Sequence, residues 1–470
     1  LIIITSIAFS NRDIARNTFD HRSPKLNTNK NSFIDIAELI QYIDSIVESS
    51  QIPGLAISVV KNDKIVWDHY IGYANINESI DVDENTRFIL SSVSKTITVT
   101  AIMQLWEKDY FMLDDPINDY LPFSVFHPDF PNINITFRML LTHTSGIQDR
   151  WDVMPYYDGD SALELGNYLE QYLTIFGEFY NSNGNFTNSQ PGTNYRYSNI
   201  AVGLVGYLVE VLSGTSFNEY CNKNIFIPLG MEHSSWFLNE IEDLNQVALP
   251  YELIGSSGDT CYEIGCGVYD AGNPCFCDID CVYYNDCCTD YNNVCGDDGT
   301  GSAEGVITLN PINHYGYSDY PSGQLRASAN DLAKFMITYI NQGQYNNFQL
   351  LELETIDLIK TIQNPIINSQ QGLIWYYKTN IERTLFGHNG GDLGSLTEMF
   401  ISLTNEIGVI VLCNIANYSS VIMIEDAIFD FAETNTFSII GDVNEDQLIN
   451  IQDVILLVNI ILNNEYTYLG

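Results

Sequence analysis

From about residue 33 to residue 433 the order of apolar and polar positions alternates between strand-like and helical stretches. Leu55–Val60 and Lys64–Tyr70, joined at Asn62 and Asp63, predict a hairpin. Ser92–Lys108 predicts a helix, with Val93, Ile97, Ala101 and Leu105 on one four-residue stripe. Ile200–Leu212 predicts a second apolar helix, stopped by Ser213 and Gly214. Leu396–Leu403 and Ile407–Cys413 form a second hairpin, followed by a helix around Val421–Glu433. Strands at both ends with helices between them predict an α/β domain whose one sheet is built from both of its termini and covered by helices.

Three stretches fall outside this pattern. Residues 1–10 are short, apolar and end in small residues, like the rear of a signal-peptide core, and residues 11–32 are a polar linker. Between Cys261 and Cys295 lie eight of the ten cysteines, a density that predicts a disulfide-stapled unit and an oxidising, extracellular compartment. After a short linker at 434–440, a further segment begins at Gly441.

Sixty acidic residues against nineteen basic ones give a formal charge of −41. Nucleic acid and anionic membranes both call for a cationic surface, so neither is an expected partner. No apolar run reaches membrane-spanning length, so no membrane span is expected.

Chemistry concentrates in three segments, Ser92-Val93-Ser94-Lys95, Tyr197-Ser198-Asn199 and His388-Asn389-Gly390. The first sets a hydroxyl and an amine one helical turn apart, with Ser92 at a helix N-terminus that favours developing negative charge. The second supplies a phenol, and the third an imidazole ahead of two glycines, Gly390 and Gly391. Acyl transfer through a serine needs such a set: a nucleophile, groups that take and return its proton, and backbone donors for the oxyanion. Lys95 acts either as a neutral base or as a cation favouring the Tyr197 phenolate, and both arrangements stay open here. No Gly-x-Ser-x-Gly elbow surrounds a serine, and the seven histidines show no zinc spacing.

With Leu140–Gly146, Pro191–Thr193, Pro228–Met231 and Ser322–Leu325 running into Ser328–Ala333, these segments make residues 33–433 resemble the serine β-lactamase and penicillin-binding-protein-like hydrolases. That branch holds class C β-lactamases, D-alanyl-D-alanine carboxypeptidases, D-aminopeptidases and esterases. The resemblance implies an antiparallel sheet flanked by helices plus a helical subdomain, and a reaction without a cofactor. It implies that Ser92 is the nucleophile, Lys95 its proton partner and Tyr197 the general base. Asn199 then bonds the lysine or the substrate amide, the N–H groups of Ser92 and Gly391 form the oxyanion hole, and His388 faces Tyr197 or a substrate carboxylate. His143 is expected to brace the loop before Ser145 and Gly146 rather than to join a triad. His388 stands where β-lactamases of this branch usually carry lysine, and a neutral imidazole holds a carboxylate less firmly than an ammonium. A carboxypeptidase, aminopeptidase or esterase suits that departure better.

Cys261, Cys266, Cys275, Cys277, Cys281, Cys287, Cys288 and Cys295 resemble a somatomedin-B-like domain inserted at 258–298. Spacing alone leaves 105 pairings open; the resemblance implies Cys261–Cys277, Cys266–Cys295, Cys275–Cys288 and Cys281–Cys287. The tail at 441–464 resembles a single dockerin repeat, a calcium loop and a helix. Its ligands would be Asp442, Asn444, Asp446, Asn450 and Asp453 with the Leu448 carbonyl, a hard-oxygen ring suited to Ca²⁺. Gln447 replaces the usual glycine and one repeat stands where cohesin-binding dockerins carry two, which weakens the expectation of a cohesin-like partner. The chain thus reads as a secreted serine hydrolase cleaving an amide or ester of a small molecule or peptide. The alternative is an extracellular adhesion or scaffold protein whose hydrolase domain is inert.

Overall fold

Strand β1 (Gly54–Lys61) lies between β2 (Lys64–Asn75) and β7 (Ile407–Cys413), antiparallel to both. With β3 (Ile80–Asp81), β4 (Tyr376–Thr379), β5 (Thr384–Asp392) and β6 (Ser395–Ser402) they form one seven-stranded sheet, in the order β4-β5-β6-β7-β1-β2-β3. The two expected hairpins therefore meet edge to edge, with Leu55 opposite Cys413 and Lys61 opposite Ile407. The computed structural model describes residues 33–254, 308–379, 383–435 and 451–462.

Each sheet face has its own core. Leu55, Ile57 and Val59 of β1, with Val409 and Val411 of β7, pack against helix α1 (Ile36–Ser49) and helix α5 (Tyr418–Thr434). Ala56, Val60, Ile410 and Leu412 point the other way, toward α2 (Ser94–Trp106), α3 (Asn199–Ser213) and α4 (Ala329–Ile340). Strands covered on both faces need apolar residues throughout, which is why β1 and β7 read as near-continuous apolar runs.

Helix α2 differs from expectation in two respects. Its α-helical part starts at Ser94, after a 3₁₀ turn at Ser91–Val93, and it ends at Trp106 rather than Lys108. It is also not amphipathic: every residue from Ser94 to Leu105 is buried, so the Val93–Leu105 stripe is one side of a helix enclosed all round. Among the described residues no single helix is long and apolar enough to cross a membrane.

Cys221 and Cys413 are buried free thiols, and burial pushes the Cys413 thiol up to about 12. The expected leader and linker (1–32) lie outside the described residues. So do Cys261, Cys266, Cys275, Cys277, Cys281, Cys287, Cys288 and Cys295, and Asp442, Asn444, Asp446, Leu448 and Asn450. The expected tail helix is present as α6 (Ile451–Leu462), although the Asp453 side chain also lies outside the description.

Candidate active site

The chain enters the site through a strained residue. Ser91 has φ of +48°, a left-handed conformation that non-glycine residues seldom adopt. Its neighbours hold it there: Leu90 N donates to the Leu325 carbonyl at 2.7 Å, and Ser91 Oγ donates to Ser395 Oγ at 3.2 Å. Ser92 follows on the 3₁₀ turn, half-buried at the mouth of the enclosed helix.

One turn further, Lys95 is fully buried. Its Nζ lies 2.9 Å from Ser92 Oγ, 2.7 Å from Asn199 Oδ1 and 2.6 Å from the Ser322 carbonyl oxygen. The amide and backbone oxygens can only accept, so each takes one lysine hydrogen. The contact with the Ser92 hydroxyl runs in either direction, because an ammonium donates to it and a neutral amine accepts from it.

Tyr197 stands just ahead of α3. Lys95 Nζ is 4.9 Å from its ring centroid, and the His143 ring 4.4 Å. Burial pushes the Tyr197 phenol well above its ordinary value, while a hydrogen bond with Ser92 pulls it back down. The phenol thus lies near the nucleophile and the amine in a desolvated setting, where a phenolate is costly unless a cation accompanies it.

Asp149 positions the second segment. Its carboxylate accepts from the backbone N–H groups of Asn199 (2.9 Å) and Ile200 (3.1 Å), capping α3 from outside. It also accepts from Ser198 Oγ and from Asn199 Nδ2, each at 2.9 Å. Fixing Nδ2 turns Oδ1 of the same amide toward Lys95. His143, itself in the left-handed region at φ +54°, accepts from Ser198 N through Nδ1 at 3.2 Å. Its carbonyl accepts from Arg196 N at 2.7 Å. The bracing expected of His143 is therefore directed at the tyrosine segment.

Strand β5 closes the other side. His388, Gly390 and Asp392 alternate onto one of its faces. A Cβ on Gly390 would lie 2.8 Å from Ser92 N and 2.4 Å from the Leu90 carbonyl, so only glycine lets the strand approach the nucleophile. Gly391, the expected oxyanion donor, is the half-exposed residue of the pair. His388 is buried, with Nδ1 2.5 Å from the Asn389 carbonyl and its ring 6.3 Å from that of Tyr197. Tyr376 packs edge-on to it at 5.4 Å and donates to Asn389 Oδ1 at 2.9 Å. Strand β4 pairs with β5 only from Thr384 to Gly387, so His388–Asp392 continue past its end beside the cleft.

All three segments, from Ser92 to Gly390 in the chain, thus converge on Ser92. Asp149 and the Ser322 carbonyl went unread in the sequence. Asp149 follows the Leu140–Gly146 motif as an isolated acid with no periodic signal, and a backbone carbonyl leaves none at all.

A family model described as Beta-lactamase matches residues 39–433, most of the chain. The chain belongs to the Beta-lactamase family of serine hydrolases. It is 28% identical to Protein flp of Staphylococcus aureus (strain MRSA252) over 221 residues, 46% of this chain and 42% of that one. With the putative penicillin-binding protein PbpX of Bacillus subtilis (strain 168) it shares 30% identity over 250 residues, 52% of this chain and 57% of the other. Each match spans about half the length of these curated relatives. Among solved structures, D-amino acid amidase from Ochrobactrum anthropi SV3 superposes with a TM-score of 0.59 at 16% identity, over 84% of this chain and 98% of that chain. At that identity the likeness is one of fold. The antiparallel sheet flanked by helices is the fold of the Beta-lactamase family.

Proposed function

We propose that the chain hydrolyses an amide or ester through an acyl-serine on Ser92. The observation that carries this is the convergence of Lys95 Nζ on Ser92 Oγ, Asn199 Oδ1 and the Ser322 carbonyl, with the Tyr197 ring 4.9 Å from the same amine. Ser92 Oγ attacks the substrate carbonyl carbon, and its proton passes to the Lys95–Tyr197 couple. The carbonyl oxygen takes the negative charge beside the N–H groups of Ser92 and Gly391. Collapse breaks the bond to the amine or alcohol, which leaves with the proton returned through Tyr197. A water then repeats the sequence on the acyl-serine and frees the acid.

Amine with phenol, and ammonium with phenolate, hold the same number of protons. Burial of the phenol favours the first arrangement at rest, and Asn199 and Ser322 support the second as the Ser92 proton moves. Accepting the Ser92 proton leaves the couple as ammonium and phenol with one positive charge, which the negative charge on the oxyanion balances.

His388 in place of a fixed ammonium favours a D-amino-acid peptide or amide, or an ester, over a dedicated β-lactam substrate. The penicillin-binding name of PbpX and the amidase name of the structural neighbour agree with that choice. Secretion is supported by the cysteine-dense insert and the acidic composition. The spacing of the eight cysteines supports a somatomedin-B-like module at 258–298. Residues 442–453 offer the oxygen-only donor set that Ca²⁺ prefers, and would hold it in the tail.

A panel of D-amino-acid amides, short-chain esters and a chromogenic cephalosporin, run against wild type and Ser92→Ala, tests the proposal. Ser92-dependent turnover of an amide or ester is expected, with the cephalosporin slowest. Turnover that survives Ser92→Ala would refute it.

A further inference from the structure

Two hydroxyls on β6 reach over β5 to the turn that carries the nucleophile. Thr397 lies opposite Gly390 and Ser395 opposite Asp392, so both side chains share the face on which β5 borders Ser92. Both are buried, where a hydroxyl needs a partner. Thr397 Oγ1 donates to the Leu90 carbonyl at 2.8 Å, with the Gly390 carbonyl a second, longer acceptor at 3.3 Å. Ser395 Oγ donates to the Ile89 carbonyl at 2.8 Å and accepts from Ser91 Oγ at 3.2 Å. The three residues ahead of Ser92 are thus all held from one strand.

Gly390 leaves room for this. A Cβ there would lie 2.5 Å from Thr397 Oγ1 and 2.8 Å from Ser92 N, in the space where the hydroxyl meets the turn. The Leu90 carbonyl also accepts from Val93 N at 3.1 Å, so Thr397 and Val93 use both of its lone pairs. Leu90 N donates to the Leu325 carbonyl at 2.7 Å. Leu90 is therefore fixed through both its N–H and its carbonyl, and Ser395 fixes the side chain of Ser91.

Rotation about Ser91 decides where the next N–H, that of Ser92, points. Ser91 sits at φ +48°, a conformation that persists only where surrounding bonds impose it. Removing one of those bonds lets the turn relax and the N–H swing away. The first N–H groups of a helix have no partner within it, and the proposed reaction gives this one the carbonyl oxygen of the substrate. We infer that Thr397, with Ser395 beside it, is a positioning residue that aims the Ser92 N–H at the oxyanion. It acts through the Leu90–Ser92 turn. This rests on the acyl-serine proposal and adds to it the part that holds a strained turn in its reactive form.

The test measures, on the full chain, the second-order rate at which a fluorophosphonate modifies Ser92, because its phosphoryl oxygen takes the place of the substrate's carbonyl oxygen. Thr397→Val keeps the shape and loses the hydroxyl, and should slow labelling by about 10–100-fold. The factor should be the same at every pH, since the Lys95–Tyr197 couple is left intact. Thr397→Ser keeps the hydroxyl, and should label close to the wild-type rate even though loss of a buried methyl lowers its Tm. Ser395→Ala removes a single oxygen and should slow labelling in the same pH-independent way, which keeps the test open if Thr397→Val does not fold. Labelling at the wild-type rate in a folded Thr397→Val or in Ser395→Ala overturns the inference. Equal slowing in Thr397→Ser and Thr397→Val also overturns it, since packing and not the hydroxyl would then matter. So does slowing that disappears as pH rises, which would place the effect on the proton couple. Absence of Ser92 labelling in wild type would instead remove the acyl-serine proposal beneath it.

Discussion

Lys95 Nζ lies 2.6 Å from the carbonyl oxygen of Ser322, 227 residues away in the chain. That contact spends one lysine hydrogen on a group that can only accept, and the Asn199 amide takes another. What remains of the amine faces Ser92. Lys95→Met keeps the length and apolar stem but loses every one of these bonds. It should lower kcat by about 10²–10⁴-fold, the usual range for a lost acid–base group. A pre-steady-state burst of product that persists at wild-type rate would show that Lys95 has no part in acylation.

Asp149→Asn replaces a carboxylate that accepts four hydrogen bonds with an amide that must turn donors toward donors. Folding stability should fall by about 1–3 kcal/mol in urea. Asn199 also loses its anchor, so kcat should fall about 10–100-fold through misplacement of Lys95 and Tyr197. Unchanged kcat alongside lowered stability would confine Asp149 to capping α3.

Gly390→Ala inserts a methyl group 2.4 Å from the Leu90 carbonyl and 2.8 Å from Ser92 N. Strand β5 must then move away from the nucleophile. Ser92 acylation should slow by about 10²-fold or more, as when an oxyanion donor is removed. Near-UV circular dichroism checks that the fold persists, and acylation at the wild-type rate would mean that the strand does not border the reacting carbonyl.

Beneath the catalytic strand, Glu398 on β6 opposes Asn389 of β5 and shares Lys378 with Glu425 of α5. Two buried carboxylates on one ammonium leave a charge in excess, and burial pushes Glu398 up from 4.5 to about 8. Burial likewise pushes Asp426, facing Arg383, up from 3.8 to about 7. Because the folded state holds these protons more tightly than the unfolded chain, their contribution to stability is full below about pH 4 and lost as pH rises toward 8. Glu398→Gln, which stays neutral, should match wild type in Tm near pH 5 and exceed it by pH 8.5. A Tm difference that stays constant across that window would contradict the assignment.

Much of this was legible in the sequence, and the reasons for the remainder are physical. Ser92, Lys95 and Tyr197 announce themselves as reactive side chains in ordered segments, and β1, β2, β6 and β7 as apolar runs broken by turn residues. The true start of α2 was not visible, since Ser91 adopts a left-handed conformation that no local propensity favours; tertiary contacts to Leu325 and Ser395 impose it. Its burial on all sides was equally hidden, because the threonines at 96, 98 and 100 look polar yet bond the helix's own carbonyls, Pro321 and Tyr339. Asp149 gave no signal because its role is to accept from backbone groups fifty residues on.

Everything proposed for this site depends on Ser92 carrying the acyl group. Incubation of the full chain with a fluorophosphonate, followed by intact mass and peptide mapping, tests it most directly. One adduct per chain is expected, located on Ser92 and absent from Ser92→Ala. An adduct on another residue, or none with the fold intact, would contradict it.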